Sequence, residues 1–144
     1  MTRHVLLPID GSPQSQSALE FALREFPEAN ITLIHVIDPV EAGFSSQATA
    51  FGRAEEWYDE AREIAEELFE DARERAADGG HEGSVDSTVE LGRPARTIVD
   101  YADENDVDQI VLGSHGRSGV SRILLGSVAE TVVRRSPVPV TVVR

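Results

Sequence analysis

Apolar residues along the chain occur in two alternating arrangements, short continuous runs and longer segments with helical spacing. The short runs, bounded by Gly, Pro, Asp or Ser, predict buried strands at 4–10, 31–38, 84–91, 107–113 and 138–143. Between these runs, apolar side chains recur every three or four positions, which predicts helices with one apolar face. These helical segments follow Ser12, span 53–77, lie within 92–105 and span 127–136.

Strand and helix therefore alternate from one end of the chain to the other. This order predicts an α/β fold with a doubly wound, mainly parallel five-stranded sheet and helices on both faces, a Rossmann-like arrangement. No repeat or linker interrupts the pattern, so we expect residues 1–144 to form a single domain. The connection at 39–52 is long for a compact domain, and its role is left open.

Charge is the unusual feature of the composition. The chain has 26 acidic and 13 basic residues, a net charge of −13, and every basic residue is an arginine. Such a surface repels nucleic acids and anionic membranes, so neither is expected as a partner. Because salt screens the self-repulsion of an acidic surface, we interpret the excess as a halophilic adaptation. A GC-rich genome, which favours arginine codons, is the alternative explanation.

The chain has no cysteine, which excludes disulfide and thiolate chemistry and is compatible with a reducing cytoplasm. No apolar run approaches the ~20 residues of a membrane span. The start of the chain lacks the features of a signal peptide. We therefore expect a cytoplasmic protein.

Two predicted strand ends carry unusual sequences. The first strand leads into Asp10-Gly11-Ser12, and the fourth leads into Gly113-Ser114-His115-Gly116. In doubly wound sheets, ligands bind outside the carboxyl ends of the strands, where the strand order reverses. If the first and fourth strands are neighbours, both segments face one crevice. An ordinary Asp-Gly turn without a ligand is the alternative interpretation of the first segment.

The glycine-rich stretch at 113–127 is the main candidate for chemistry. Its glycines follow the spacing G-x2-G-x9-G-S, at Gly113, Gly116 and Gly126, and neither a P-loop nor G-x-G-x-x-G occurs. Gly113 and Gly116 can adopt positive φ angles and let the backbone approach a ligand closely. Gly126 leads into the last helix, whose free N–H groups suit a phosphate. Without lysine, phosphate charge would be met by backbone N–H groups, arginine or Mg²⁺.

Ser127 has two interpretations. Ser127 and Glu130 have the spacing of a capping box, in which each side chain accepts a hydrogen bond from the other residue's backbone N–H. Ser127 is therefore predicted either as a helix cap or as a phosphate ligand. A phosphate could also replace the bond that the cap makes.

These segments resemble the universal stress protein family. G-x2-G-x9-G-[ST] is the ATP-binding pattern of one branch of that family, and the resemblance covers the whole chain. "VLLPIDGS" resembles the family's first strand and acidic turn, "LIHVID" resembles its second strand, and residues 90–143 resemble its C-terminal half. The connection at 39–52 is the least typical part. The resemblance implies the universal stress protein fold.

The resemblance also implies a nucleotide between the first and fourth strand ends. The ligand would be ATP, or AMP or ADP, with Mg²⁺. Adenine would rest near Pro8, Ile9 and Val36, and Asp10 would contact the nucleotide directly or through Mg²⁺. The other nucleotide-binding residues that it implies are Leu112, Gly113, Ser114, Gly116, Arg117, Gly126, Ser127 and Val128.

The implied function is that of an ATP-binding, nucleotide-responsive module in stress tolerance. Slow ATP hydrolysis is an alternative, but no catalytic residue can be named, since Asp10 is the only acid at the predicted site and its geometry is unknown. A further alternative is a dimeric interaction protein with an empty nucleotide site. The stress signal, the protein partners and the physiological nucleotide stay open.

The last predicted strand, 138–143, points to a partner. Pro137 and Pro139 protect its edge, yet the strand stays apolar beyond Pro139. We expect two chains to pair through this strand as a homodimer, as family members commonly do. Burial by the chain's own last helix is the alternative.

Overall fold

The computed structural model describes residues 3–40, 53–115 and 125–144. Its strands are β1 (His4–Pro8), β2 (Asn30–Ile37), β3 (Val85–Leu91), β4 (Gln109–Gly113) and β5 (Val140–Val143). Its helices are α1 (Pro13–Glu25), α2 (Arg53–Asp78), α3 (Pro94–Glu104) and α4 (Ser127–Arg135). Every predicted strand and helix is present, although β1 ends earlier than predicted, at Pro8, and β5 begins later, at Val140.

The strands form one sheet in the order β3-β2-β1-β4-β5, and all neighbouring pairs are parallel. The chain first builds outward from β1 to β3 and then returns to the middle, where β4 pairs with the other side of β1. The register of the three central strands is seen at Val5 of β1, which lies opposite Ile31 on β2 and Gln109 on β4. The α/β prediction of a doubly wound, five-stranded parallel sheet is confirmed.

Side chains alternate between two buried clusters because successive strand residues face opposite sides of the sheet. One cluster joins the sheet to α1 and α2 through residues that include Val5, Leu7 and Phe69. The other joins it to α3 and α4 through residues that include Leu6 and Val132. A parallel sheet with helices on both faces explains why the strands are continuous apolar runs rather than alternating ones.

Helix α1 begins and ends where the local sequence predicts. Ser12 is the N-cap of α1, Pro13 occupies its first turn, and Pro27 follows its last residues. α2 carries eleven acidic residues and four arginines, and it buries only a narrow apolar stripe that includes Ala65, Phe69 and Ala72. The acidic side chains from Glu55 onward are exposed to solvent. No helix in the described ranges is both long and apolar enough to cross a membrane.

Candidate functional site

The strand order reverses between β1 and β4, at the middle of the sheet. β1 is followed by α1 on one face, whereas β4 is followed by α4 on the other face. The connections therefore leave in opposite directions and open a crevice outside the carboxyl ends of these two strands. The predicted site segments after Pro8 and after Gly113 lie at this point, as expected if β1 and β4 are neighbours.

The turn after β1 is held by its own side chains. Oδ1 of Asp10 accepts a hydrogen bond from the N–H of Ser12 at 2.9 Å, which is the geometry of an Asx turn. Gly11, between them, has a φ of +82°, a conformation that side chains rarely adopt. Ser12 then caps α1, since its Oγ accepts from the N–H of Ser15 at 3.1 Å. The ordinary turn and the predicted ligand position thus coincide at Asp10, and the turn fixes where its carboxylate lies.

The end of β4 is shaped by α1. A Cβ atom added to Gly113 would lie 2.7 Å from the carbonyl carbon of Gln14 and 2.9 Å from its oxygen, so no larger residue fits. Gly113 does not have a φ in the left-handed region, so this position does not use the positive φ angles that glycine can adopt. Its lack of a side chain serves the close packing of α1 against β4. This packing brings the turn after β1 and the end of β4 together.

Ser114 joins three parts of the site through its backbone. Its N–H donates to the carbonyl of Val143 on β5 at 2.8 Å, and its carbonyl accepts from the N–H of Gly126 at 2.7 Å. Its side chain is buried, with Oγ 3.1 Å from Nδ1 of His115. The start of α4 is therefore fixed directly beside the end of β4.

The first turn of α4 differs from the predicted capping box. Gly126, not Ser127, is the N-cap residue, and no side chain of the described residues caps this helix. Glu130 donates its backbone N–H to the carbonyl of Gly126 at 2.9 Å. Its carboxylate pairs with Arg134 one turn further on, at 2.8 Å. The capping-box interpretation is wrong because Ser127 already lies inside the helix, where its hydroxyl cannot reach back over the first turn.

The predicted base-binding residues divide between the two faces of the sheet. Val36 and Leu112 belong to the cluster beneath α3 and α4, and Pro8 faces the same way because its neighbours Leu7 and Ile9 face the other. Ile9 is buried against α1 and α2. Only the backbone of Ile9 can therefore line the crevice together with Pro8 and Val36.

The comparisons with known proteins agree with this architecture. A family model described as "Universal stress protein family" matches residues 1–144. The chain belongs to the universal stress protein family. YxiE of Bacillus subtilis, a universal stress protein, is 35% identical over 150 residues, which cover all of both chains.

Solved structures of universal stress proteins have the same fold. The structure of MJ0577 from Methanocaldococcus jannaschii superimposes with a TM-score of 0.84 at 32% identity, covering 99% of this chain and 96% of that one. A universal stress protein solved in complex with cAMP superimposes with a TM-score of 0.67 at 25% identity, covering 99% of this chain and 97% of the other.

Several predicted features of this universal stress protein lie outside the described residues. They are Gly116, Arg117 and most of the connection at 39–52. Within the described ranges, no group of three or more His, Asp or Glu side chains is arranged to hold a metal ion.

Two side chains of the site were not predicted, Ser15 and His35. The Oγ of Ser15 accepts from the N–H of Asp10 at 3.4 Å, and Nδ1 of His35 lies 2.7 Å from the carbonyl oxygen of Ile9. Neither belongs to a motif: Ser15 reads as an ordinary polar helix residue and His35 as a strand residue. Only the parallel register of β1 and β2 places His35 beside the segment that carries Asp10.

A second polar region lies away from the crevice, beneath α3. The pKa of the Tyr101 phenol is raised mainly by burial and also by the negative charge of Glu90. A hydrogen bond with Thr32 lowers this pKa. Thr32 is buried, and its Oγ1 lies 2.7 Å from Nε2 of His4. These contacts tie α3 to β1 and β2 near the amino ends of the strands, so they stabilise the fold rather than line the candidate site.

Proposed function

We propose that this universal stress protein binds ATP at the carboxyl edge of the sheet, between β1 and β4. The observation that carries the proposal is the first turn of α4, which lies beside Ser114 and is not capped by any side chain within residues 3–40, 53–115 and 125–144. The first N–H groups of a helix have no partner within the helix, and together with the helix dipole they favour a phosphate. The cAMP complex of a relative supports an adenine nucleotide as the ligand.

The phosphates would lie at Gly126, Ser127 and Val128, where backbone N–H groups supply the donors. Gly126 has φ −69° and ψ 164°, an extended conformation that directs the chain into the helix. Ser127 is exposed and Val128 is half-buried, so the turn is accessible from solvent. Gly116 and Arg117 would complete the phosphate site in the glycine pattern of the ATP-binding branch.

The base would rest over Pro8, Val36 and the backbone of Ile9, with Leu112 and Ser114 beneath it. Leu112 and Ser114 are buried and give the floor a fixed shape. Gly113 would contribute to binding indirectly. Its lack of a side chain lets α1 approach β4, and this approach would bring Asp10 to the crevice.

Asp10 would contact the ribose or a Mg²⁺ ion bound to the phosphates. Its Oδ1 already accepts the Ser12 N–H at 2.9 Å, which helps to orient the carboxylate. One carboxylate with phosphate oxygens suits Mg²⁺, which keeps several of its waters. A bound Mg²⁺ would neutralise phosphate charge in a chain that has no lysine.

The biological role that follows is a nucleotide-responsive module in stress tolerance. ATP can change the state of the protein only to the extent that it binds one state more tightly than another. Hydrolysis is a separate activity, and timed release of phosphate from ATP-Mg²⁺ distinguishes an ATP hydrolase from a protein that only binds ATP.

The direct test measures bound nucleotide and thermal stability. Protein purified without added ligand is heat-denatured, and the supernatant is analysed by chromatography for ATP, ADP and AMP. Millimolar ATP with Mg²⁺ is then added to nucleotide-free protein, and the melting temperature should rise because the ligand binds only the native state. No released nucleotide together with no shift in melting temperature would contradict the proposal. GTP at the same concentration serves as the control for base recognition.

We also propose that two copies pair along β5 to form a homodimer. β5 is the edge strand beside β4, and all of its residues from Val140 to Val143 remain half-exposed although they are apolar or Thr. Pairing with a second β5 would bury this edge and satisfy its outward backbone groups. Size-exclusion chromatography with light scattering should give twice the mass of the chain, and a monomer mass would refute the dimer.

The exposed acidic surface supports a third proposal, that the protein is adapted to high salt. α2 alone carries eleven acidic residues against four arginines, and the acidic side chains from Glu55 onward are exposed. Repulsion among such charges is screened over a distance of about 3 Å in molar salt, against about 10 Å at 0.1 M. Thermal melts should therefore show higher stability in molar KCl than in 0.1 M KCl, and equal stability would favour a genomic bias toward arginine instead.

A further inference from the structure

A side chain from the neighbouring strand holds the segment that carries Asp10. Nδ1 of His35, on β2, lies 2.7 Å from the carbonyl oxygen of Ile9. A carbonyl oxygen can only accept, so Nδ1 carries the proton and donates it. The bond is therefore the same whether the imidazole is neutral with its proton on Nδ1 or is protonated on both nitrogens. It fixes the carbonyl end of the peptide unit that joins Ile9 to Asp10.

Two further hydrogen bonds restrict this segment, one on the preceding peptide unit and one on the Ile9–Asp10 unit itself. The N–H of Ile9 donates to the carbonyl of Ile34 at 2.9 Å, which continues the pairing of β1 with β2 by one residue. The N–H of Asp10, at the far end of the peptide unit, points to Oγ of Ser15 at 3.4 Å. His35 thus supplies the shorter of the two side-chain bonds on this peptide, and it comes from outside the turn.

We propose that His35 is a positioning residue of the nucleotide site: its Nδ1–H holds the Ile9–Asp10 peptide so that the Asp10 carboxylate faces the ligand. The inference rests on the proposed function, which assigns the ligand contact to Asp10. His35 itself does not touch the ligand. Its side chain lies on the face of the sheet covered by α1 and α2, as that of Leu33 does two residues earlier.

A purely structural role makes a different prediction. If His35 only strengthened the pairing of β1 with β2, its loss would lower the free energy of unfolding and leave the contribution of Asp10 to binding unchanged. A positioning role requires that the loss act through Asp10. The two roles are therefore separated by measuring nucleotide affinity in the presence and absence of the Asp10 carboxylate.

The experiment uses three histidine variants of the full chain, together with Asp10→Asn alone and combined with His35→Leu. His35→Leu removes the donor and keeps an apolar strand residue. His35→Asn places an amide N–H close to the position of Nδ1 and should restore the bond. His81→Leu is the matched control, because Nε2 of His81 makes the same kind of bond, 2.8 Å from the carbonyl oxygen of Ala29, but at the opposite edge of the sheet.

The affinity for ATP-Mg²⁺ is measured by isothermal titration calorimetry. His35→Leu should weaken binding about tenfold, the worth of one well-formed hydrogen bond. His35→Asn should bind within about threefold of the wild type, since an amide donor makes a bond of similar strength. His81→Leu should bind as the wild type does. In the background of Asp10→Asn, His35→Leu should weaken the affinity for ATP-Mg²⁺ only slightly further, because the effects of two residues that act through one another do not add.

Equal affinity of His35→Leu and the wild type would overturn the inference. So would failure of His35→Asn to restore binding, or full additivity with Asp10→Asn. Amide hydrogen exchange of the segment from Asp10 to Ser12 is measured on the same variants without nucleotide. Faster exchange in His35→Leu but not in His81→Leu supports the positioning role, and unchanged exchange contradicts it. If the wild type binds no nucleotide, the proposed function fails, and the exchange data still decide whether His35 holds the turn.

Discussion

Helices α1 and α4 both begin at the carboxyl edge of the sheet, one after β1 and the other after β4, yet their first turns differ. In α1, Oγ of Ser12 accepts from the N–H of Ser15, and Pro13 has no N–H to satisfy. In α4, Gly126 occupies the N-cap position and no side chain accepts from the first turn. The first N–H groups of a helix have no partner within the helix. In α1 the Ser12 side chain accepts from one of them, whereas in α4 no side chain of the described residues does so.

The difference in capping indicates which helix end can receive an anion. A phosphate at α1 would have to displace the Ser12 cap and would find one donor fewer, because of Pro13. A phosphate at α4 displaces no side chain. The two ends are also joined mechanically, since Gln14 in the first turn of α1 packs directly on Gly113, at the end of the strand that leads to α4. One helix end therefore supports the crevice while the other supplies its donors.

The largest expected effect breaks the contact between the two regions. Gly113→Ala should lower the free energy of unfolding by about 2 kcal/mol, because its Cβ would lie 2.7 Å from the carbonyl carbon of Gln14. Urea denaturation measures the loss. Gly79→Ala is the control and should cost less, since its Cβ would lie 3.3 Å from the carbonyl oxygen of Arg75 and 3.9 Å from that of Ala76. Equal losses of stability in the two variants would show that Gln14 can move away from the added Cβ atom at little cost.

The next effect concerns the open end of α4. Ser127→Pro should keep the helix, because Pro suits the first helical position and the extended conformation of Gly126 suits the residue before it. It removes one N–H, so affinity for ATP-Mg²⁺ should fall about tenfold, the worth of a charge-assisted hydrogen bond. Calorimetry measures the change. Ser127→Ala, which keeps the N–H, is the control; an equal loss in that variant would assign the contact to the hydroxyl.

The closed end of α1 should respond in stability rather than in affinity. Ser12→Ala should lower the free energy of unfolding by ~1 kcal/mol because the N–H of Ser15 loses its acceptor. Ser127→Ala is the matched substitution at α4 and should change stability by less than about 0.5 kcal/mol, since that hydroxyl caps nothing. Both are measured by urea denaturation. Similar losses at the two helices would remove the contrast between a capped and an uncapped end.

The smallest effect comes from making α4 resemble α1. Gly126→Ser places a hydroxyl at the N-cap position, whose φ of −69° any residue can adopt. Serine exceeds glycine at this position by only a few tenths of a kcal/mol, so the melting temperature should rise slightly. The new cap competes with the phosphate for the same N–H donors. Affinity for ATP should therefore fall about twofold, which corresponds to the few tenths of a kcal/mol that the cap contributes. A rise in affinity would indicate that the phosphate does not use this turn.

Much of the fold was predictable because its signals are local. Continuous apolar runs mark strands buried on both faces, and apolar residues at helical spacing, among them Phe69 and Ala72, mark the buried side of α2. The cap at Ser12 follows from one residue type before a proline. The predicted crevice depends on the first and fourth strands being neighbours, as in common five-stranded orders, and the observed sheet places them side by side.

The site was only partly predictable because its details depend on partners that are distant in sequence. Gly113 looks like a residue chosen for its backbone angles, but its φ is not positive and the space for a side chain is taken by Gln14. Ser127 and Glu130 have the spacing of a capping box, but the helix begins one residue too early for it, and Glu130 pairs with Arg134. Spacing alone does not distinguish a residue before a helix from its first member.

The sequence by itself determined the alternation of strands and helices, the acidic surface and the two strand ends that carry the candidate site. These are properties of neighbouring residues, and hydrophobic periodicity and charge express them directly. Only the tertiary structure decided that His35 holds the Ile9 carbonyl, that Gln14 fills the space at Gly113, and that α4 starts uncapped beside Ser114. Those contacts arise where parallel strands and packed helices bring together residues that the sequence separates, so no local pattern encodes them.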